Sequence, residues 1–364
     1  MAEAPLDRQA AYSGTKDVAA ALAFDETRLA RWLEAHVPEF RGPLTVKQFK
    51  GGQSNPTYMI EAASGKYVLR RKPPGKLLPS AHAVDREFKV ISALHGAGFP
   101  VARPYVLCED DSVVGTMFYL MDCVEGRVYW TPDLPECDKA ERGAIYDAMN
   151  ETIARLHTID YEAVGLSAFG RPAGYVERQI RRWSQQYRAS QTQDIVEMER
   201  LIDWLPGATP PDSGASIVHG DFRLDNMILA PDKPDVLAVL DWELATLGDP
   251  VGDFTYHLMQ WHMPPSRFGS GTGSLVGLDL PALGIPTMEE YVAKYCERTG
   301  RDGIANLDFY FAYNFFRLAA ILQGIVGRVR DGTATNENAA GMETQVRPLA
   351  ETAWGFAARA GALG

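Results

Sequence analysis

The sequence predicts an α+β protein of two lobes, a small antiparallel-sheet lobe followed by a large helical lobe. Strand-like runs dominate residues 44–122, whereas apolar residues recur at helical spacing through most of the chain after Gly126. The chain has 364 residues, more than a single typical domain, and 46% of them are hydrophobic. We therefore expect a flexible arm over residues 1–24, an N-terminal lobe over 25–122 and a C-terminal lobe over 123–364.

The N-terminal lobe is predicted to hold one sheet with two helices. A short amphipathic helix is expected over residues 25–37, and a second over 84–97, where two glycines and then Pro100 stop it. Strands are predicted for the runs LTVKQF (44–49), TYMIEA (57–62), KYVLR (66–70), YVLCED (105–110) and GTMFYLMDCV (115–124).

The C-terminal lobe is predicted to be mostly helical, with one island of strands. Helices are expected around Ile145–Leu156 and near 173–188, 193–204, 250–262, 288–299 and 306–330. The runs SIVHG, NMILA and VLAVLD form the strand island at 216–241. The stretch between His262 and Pro286 is rich in Gly, Pro and Ser and predicts a long surface loop.

Composition argues against several classes of partner. The net charge is −11 and no long basic run is present, which disfavours a nucleic-acid or membrane surface. The four cysteines show neither a CxxC pair nor zinc spacing, and the N-terminus lacks the regions of a signal peptide. No apolar run approaches the ~20 residues that span a bilayer. We expect a soluble cytoplasmic protein with reduced thiols.

The most informative part of the sequence is the segment His219-Gly220-Asp221, which is followed by Asn226 and then by Asp241. Its side chains are suited to phosphoryl transfer. Phosphoryl transfer requires an aligned nucleophile and compensation of the charge on the moving phosphate. Asp221 can accept the proton of an attacking hydroxyl, and Asn226 and Asp241 offer the oxygen ligands that Mg²⁺ takes. A strand, a turn and a second strand between them would bring Asn226 and Asp241 side by side. The alternative is an Asx-rich turn whose side chains only satisfy the loop backbone.

These motifs resemble those of a known superfamily. The H-x-D-x-x-x-x-N pattern with a later strand-borne Asp is similar to the catalytic signature of kinases. With Asp-Trp-Glu at 241–243, it resembles the aminoglycoside phosphotransferase and choline kinase superfamily. The runs GGQSNPTY, HGDFRLDN and LDWELATLGDPVGD resemble a subgroup found alone in bacteria or fused ahead of acyl-CoA dehydrogenase domains. This resemblance, over roughly residues 25–330, implies a protein kinase-like fold and a kinase that uses ATP and Mg²⁺ to phosphorylate a small-molecule hydroxyl.

The resemblance also implies structural roles around the catalytic loop. In the family, the residue matching His219 supports the loop and the residue matching Asp253 commonly braces it. Asp249 and Asp253 could equally cap the helix predicted near 250. We assign structural roles to His219, Asp249 and Asp253.

A glycine turn between the first two predicted strands is the candidate phosphate loop. Gly51 and Gly52 allow backbone N–H groups to approach phosphates, and the Ser54 hydroxyl could join them. Many hairpins carry a Gly-Gly pair, so this pattern alone is ambiguous.

The KYVLR strand should supply the cation that binds the α- and β-phosphates. By resemblance, Arg70 takes the place of the usual Lys and Val68 covers the adenine. Arg71 and Lys72 are competing candidates, but strand alternation places Val68, Arg70 and Lys72 on one face and excludes Arg71.

The resemblance implies two further parts of the nucleotide site. Glu87 would pair with the cation; the alternative is a solvated carboxylate on a helix face. Met121, Asp122 and Val124 would form the hinge, where the Asp122 carbonyl accepts from adenine and the Val124 N–H donates to it.

The acceptor site should lie on the C-terminal lobe. The predicted helices after Gly252 show no cluster of acidic residues suited to polycations. The candidate substrate residues are instead aromatic, amide and arginine side chains: Arg178, Arg182, Arg223, Tyr256, Gln260, Tyr313 and Arg317. Arg178 and Arg182 share a helix face and suit phosphate groups of a carrier, although a solvated face partly paired with Glu177 fits equally well. We hypothesise that the acceptor is the hydroxyl of a hydroxyacyl-CoA.

Four other functional classes are alternatives to this hypothesis. The alternatives that stay open are an aminoglycoside or other amino-alcohol kinase and a catalytically silent nucleotide-binding regulator. A protein kinase is disfavoured because no Ala-Pro-Glu segment follows Asp241. An acyl-CoA dehydrogenase is disfavoured because we find no flavin-binding segment and no length for a second domain of that size.

Overall fold

The computed structural model describes residues 13–51, 55–75, 82–265, 273–332 and 339–362. Their contacts divide the chain into two compact units. The first contains residues up to Tyr129 together with Glu162–Phe169 and Asn226–Ala245, and the second contains Trp130–Tyr161, Gly170–Asp225 and Thr246–Gly364. The first unit therefore includes two segments that lie later in the sequence than the predicted N-terminal lobe.

A six-stranded sheet, with antiparallel neighbours throughout, forms the body of the first unit, in the order β1-β2-β3-β4-β6-β5. Its strands are β1 Thr15–Lys16, β2 Leu44–Phe49, β3 Thr57–Ala62, β4 Gly65–Arg71, β5 Pro104–Cys108 and β6 Phe118–Asp122. All five predicted strands are present. Residues 15 and 16 were expected in a flexible arm, but they form β1, which pairs with Phe49 and Gln48 of β2.

Three helices belong to the first unit, α1 Glu26–His36, α2 Val84–Gly96 and the short α3 Asp111–Val114. The first two were predicted to within two residues. Asp25 caps α1 by accepting from the Arg28 N–H at 2.9 Å. Leu29 and Leu33 of α1 pack with Phe118 and Leu120 in an apolar core, as the predicted amphipathic pattern requires.

Strand β4 separates two charged side chains that are neighbours in sequence. Tyr67 and Leu69 point into the apolar core. Arg71 lies on that side as well, where it donates to the Tyr58 hydroxyl and to the Leu22 carbonyl. Arg70 therefore faces the opposite side, and the predicted alternation is confirmed.

The predicted strand island is split between the two units. Hairpin strands β8 Met227–Leu229 and β9 Val236–Val239 belong to the first unit, where the Val239 N–H donates to the Pro100 carbonyl at 2.9 Å. Gly126 lies so close to this hairpin that a Cβ atom would stand 2.2 Å from the Leu229 carbonyl oxygen. The third predicted strand, β7 Ser216–Val218, instead pairs with the unpredicted β10 Thr246–Gly248 in the second unit.

The remaining helices build the second unit. They are α4 Lys139–Thr158, α5 Tyr175–Ser190, α6 Val196–Ala208, α7 Pro250–Leu258, α8 Leu280–Leu283, α9 Met288–Thr299, α10 Leu307–Arg330 and α11 Ala339–Ala357. Four 3₁₀ turns, Ala20–Leu22, Leu224–Asn226, Trp242–Leu244 and Met259–Trp261, and a π-helical segment, Ala358–Ala362, complete the described structure of both units. Helix α11, which was not predicted, buries Val346, Leu349 and Phe356.

Helix α10 corrects one expectation from the sequence. Its 24 residues are long and apolar enough to cross a membrane by length and composition, and it is the one such helix in the described ranges. Of its most apolar window, 78% is buried inside the protein, as in the core helix of a globular domain. The helix was predicted over 306–330, but its apolar character was underestimated because Tyr310, Asn314 and Arg317 interrupt the apolar run, although the folded chain buries all three. Three of the four cysteines, Cys108, Cys137 and Cys296, are buried.

Candidate active site

In the first unit, Arg70 is the centre of a buried ionic network. Its Nε lies 2.7 Å from Glu87 Oε2, and its Nη2 donates to Asp241 Oδ1 at 2.7 Å. Glu87 is 2% exposed, so it is not a solvated helix-face carboxylate. Burial alone would lower the pKa of Arg70, but Glu87, Tyr119 and Asp241 together raise it above its usual value. Arg70 therefore keeps its charge in this buried position.

Asn55 was missed by the sequence analysis and holds Glu87 from the other side. Its Nδ2 donates to Glu87 Oε1 at 2.7 Å, and its Oδ1 lies 2.9 Å from His82 Nδ1. Asn55 is fully buried. A signal was present, because an Asn directly follows the glycine turn, but its partner lies on a helix 32 residues further along.

Asn226 and Asp241 stand at the same end of the β8–β9 hairpin. The Leu240 N–H donates to the Asn226 carbonyl at 2.8 Å, which brings the two flanking residues next to each other, as predicted. Asp241 adopts a left-handed conformation with φ 63° and its side chain is 37% exposed. The pair offers one amide oxygen and carboxylate oxygens, the ligand type that Mg²⁺ prefers. No group of three His, Cys, Asp or Glu residues suited to a metal occurs in the described part of the chain.

In the second unit, Asp221 is held by two neighbouring side chains. The Tyr256 hydroxyl donates to Asp221 Oδ1 at 2.8 Å, and Arg223 Nε lies 3.4 Å from the same oxygen. Arg223 also pairs with Asp225 at 2.6 Å. The Asp221 side chain remains 23% exposed. The carboxylate is therefore fixed in orientation but reachable by a ligand.

Asp253 supports the loop that carries Asp221. Its two carboxylate oxygens accept from the backbone N–H groups of His219 and Gly220, each at 2.8 Å, and Oδ2 lies 3.2 Å from His157 Nε2. Gly220 has φ 85°, a conformation that favours glycine. Burial would raise the pKa of Asp253, but the contacts with His157 and His219 hold it below its usual value. Nearby, Asp249 caps α7 through the N–H groups of Val251 and Gly252.

Replacing Asp253 with alanine should lower the free energy of unfolding by about 2 kcal/mol or more, because two buried N–H groups lose their acceptor. Since the folded-state pKa lies below the unfolded value of about 3.8, the carboxylate's contribution is present above that pH and is lost as the pH falls through the folded-state pKa. Urea unfolding at several pH values measures both effects. Asp331→Ala, which removes an exposed carboxylate, is the matched control; an equal loss in both variants would contradict the bracing role.

Several predicted substrate residues are placed differently from the expectation. Tyr313 and Arg317 are 1% and 5% exposed and are not among the lining residues of the cavity beside Asp221. Arg317 instead donates to the Gly220 carbonyl at 2.8 Å, with its guanidinium 5.0 Å from the centre of the Tyr256 ring. Arg178 bonds the Ala173 and Arg171 carbonyls beside the start of α5, and Arg182 stacks on Trp183. These arginines have local structural partners.

The second unit contains a cavity beside Asp221. Its described lining includes three of the predicted substrate residues, Arg223, Tyr256 and Gln260, together with Asp225, His257 and the apolar side chains of Trp130, Pro132, Leu224, Met259, Met263 and Leu318. Because Tyr256 and Arg223 both contact Asp221, the cavity adjoins the candidate catalytic carboxylate.

The predicted adenine and phosphate contacts are described only in part. Val68 is 8% exposed, and Met121 and Asp122 are the last residues of β6. Among the residues that the structure covers, the Val124 N–H has no hydrogen-bond partner, so it is open to a ligand. Gly51 is described, whereas Gly52 and Ser54 lie outside the described residues.

Comparison with known proteins places the chain in one family. Residues 45–307 match the model of the APH family, described as "Phosphotransferase enzyme family". The chain is 45% identical over 348 residues to mouse "Acyl-CoA dehydrogenase family member 10", covering 95% of this chain and 32% of that protein. It spans between about a third and under half of the length of the curated relatives that it matches.

Solved structures show the same fold. A Ralstonia eutropha protein with the provisional name of aminoglycoside phosphotransferase is 48% identical, with a TM-score of 0.85 over 93% of this chain and 99% of that one. A choline kinase from Cryptosporidium parvum has a TM-score of 0.64 over 92% of this chain and 97% of its own, at 9% identity, which shows the fold alone. The kinase-like α+β fold expected from the sequence is confirmed.

Proposed function

This chain belongs to the phosphotransferase enzyme family, and we propose that it transfers the γ-phosphate of ATP to a hydroxyl group of a small molecule. The observation that carries the proposal is the environment of Asp221. Its carboxylate is oriented by Tyr256 and remains partly exposed, on a loop whose backbone is braced by Asp253. A fixed, reachable carboxylate is what an acceptor hydroxyl needs to lose its proton as transfer proceeds.

The Arg70 network supports the nucleotide half of the proposal. Arg70 would bind the α- and β-phosphates in place of the usual lysine, with Glu87 and Asn55 holding it in position. A guanidinium presents a planar set of donors, so it can contact a phosphate while Glu87 occupies its Nε. The Val124 N–H and the Asp122 carbonyl would contact adenine, and Val68 would cover the ring.

Asn226 and Asp241 would hold Mg²⁺. Two oxygen-bearing side chains suit this ion, which usually takes one or two carboxylates and completes its shell with phosphate oxygens and water. When bound, the ion would offset negative charge on the phosphates. Asp241 pairs with Arg70 in the structure, so binding Mg²⁺ would require the carboxylate to share or exchange that partner.

We propose a hydroxyacyl-CoA as the acceptor. Two observations support this over a polycation: Asp225, the one carboxylate among the described residues lining the cavity, is already paired with Arg223, and the names of curated relatives include acyl-CoA dehydrogenases. Incubation with ATP, Mg²⁺ and a panel of hydroxyacyl-CoAs should yield a phosphorylated acyl-CoA detectable by mass spectrometry. Turnover of an aminoglycoside or another amino alcohol, with no phosphorylated acyl-CoA, would contradict the proposal.

Replacing Tyr256 with phenylalanine should lower kcat about tenfold or more. The change removes one hydrogen bond to a charged carboxylate while keeping the aromatic ring against Arg317. Steady-state kinetics with the acceptor measures the effect. The matched control is Tyr313→Phe, since the Tyr313 hydroxyl is buried and has no partner among the described residues. Equal kcat values for the two variants would contradict the orienting role of Tyr256.

A further inference from the structure

We propose that the Gln260 amide recognises an uncharged oxygen, such as a carbonyl or ester oxygen, on an acceptor whose hydroxyl-bearing chain is apolar. This inference rests on the proposed function, because it assigns a chemical class to the group phosphorylated beside Asp221. The supporting observations are the hydrogen bonding, the charges and the apolar surface of the residues that line the cavity in the second unit.

Gln260 is a buried polar side chain with an unmet hydrogen bond. It is 7% exposed, it lines the cavity, and its Nε2 has no partner among the residues that the structure describes. The backbone of Gln260 is engaged separately, since its carbonyl accepts from the Leu275 N–H at 2.9 Å. Leaving a buried donor unsatisfied is costly, so a ligand that supplies an oxygen to this amide gains affinity.

The charges around the cavity cancel. Arg223 and Asp225 form a pair at 2.6 Å. The described lining also contains one histidine, His257. Burial lowers the pKa of His257 to about 4, so this side chain is neutral at pH 7. Its Nδ1 lies 3.2 Å from the Phe222 carbonyl and its Nε2 lies 2.8 Å from the Tyr291 hydroxyl. Away from Asp221, a ligand group carrying a full charge of either sign would therefore meet no uncompensated counter-charge among the described lining residues.

The remaining lining sets the shape of the ligand. Trp130, Leu224, Met259, Met263 and Leu318 provide apolar surface, and methionine side chains adapt to irregular chains. An apolar chain with a hydroxyl near Asp221 and one neutral oxygen near Gln260 satisfies each of these features.

The test compares matched acceptors in wild type and in Gln260→Leu. The probes are methyl hydroxyhexanoates with the hydroxyl at each chain position, the corresponding hexanols, the free hydroxyhexanoates and the corresponding amino alcohols. We expect the best methyl ester to exceed its matched hexanol about tenfold or more in kcat/KM, and this ratio to fall towards one in Gln260→Leu. Gln179→Leu is the control, because Gln179 lies on α5 outside the cavity and bonds Trp183, so its ratio should match that of wild type.

The outcomes separate the two proposals. Suppose that wild type phosphorylates some probe but Gln260→Leu keeps the ester-to-hexanol ratio: the role of Gln260 is then wrong, while the phosphotransfer proposal stands. The same conclusion follows if wild type prefers the amino alcohols or the free acids to the esters. If wild type phosphorylates neither these probes nor hydroxyacyl-CoAs in the presence of ATP and Mg²⁺, both proposals are overturned.

Discussion

Replacing Asp221 with asparagine should lower kcat for hydroxyl phosphorylation by about 10²–10⁴, the usual range for loss of a general base. The amide retains the size of the side chain and can still accept from Tyr256 through its oxygen, so the loop fold should persist. It cannot take a proton from the acceptor at neutral pH. Steady-state kinetics on the phosphorylated acceptor gives the change in kcat, and calorimetry gives the affinity for ATP.

The affinity for ATP is the internal control for this variant. The Arg70–Glu87 pair, which is proposed to position the phosphates, is unchanged in this variant, so nucleotide affinity should change little. Asp225→Asn, four residues further along, is the matched variant: it weakens the pairing of Arg223 but leaves Asp221 ionisable. A wild-type kcat in Asp221→Asn, or an equal loss in both variants, would show that Asp221 is not the proton acceptor.

Replacing Arg70 with methionine should destabilise the protein by about 3–5 kcal/mol, because Glu87 would remain as a buried charge without its cation. The same change should weaken ATP binding, since the cation proposed to contact the phosphates is lost. Urea unfolding measures the first effect and calorimetry with Mg²⁺ and ATP measures the second.

A double variant separates the stability effect from the nucleotide effect. Arg70→Met with Glu87→Gln removes both charges; the amide oxygen can still accept from Asn55, and the amide NH2 can donate to the Tyr119 hydroxyl. Much of the lost stability should return. Replacing both partners of a buried ion pair destabilises a protein far less than removing one partner and leaving the other charge unpaired. ATP affinity should not return. If it recovered with stability, Arg70 would be a structural residue and the phosphate contact would be wrong.

Local patterns in the sequence were sufficient to predict the backbone positions of Arg70, Asn226 and Asp241. The two-residue period of β4 separates Arg70 from Arg71, and the turn between β8 and β9 brings Asn226 next to Asp241. Both arrangements follow from strand geometry over a few residues, and the alternation of residue types in the sequence is sufficient to predict them. The N-cap at Asp249 followed from the same kind of local signal.

Contacts that depend on packing between distant elements were not predictable in this way. Tyr256 reaches Asp221 across 35 residues and Arg317 reaches Gly220 across 97, and no spacing rule encodes either contact. Tyr313 and Arg317 were expected to face a substrate because they are polar, but the packing of α10 buries them. Helix α11 was missed because Pro348 interrupts its helical pattern, while burial of its apolar residues favours the helix.

The most direct test of phosphotransfer is to count phosphate esters against ADP. Wild type and Asp221→Asn are incubated with ATP, Mg²⁺ and each candidate acceptor, and both products are quantified by mass spectrometry. Wild type should form one phosphate ester on the acceptor hydroxyl for each ADP, at a rate that Asp221→Asn lowers by about 10²–10⁴. Formation of ADP without any ester, or of ester at the same rate in both proteins, would contradict the account.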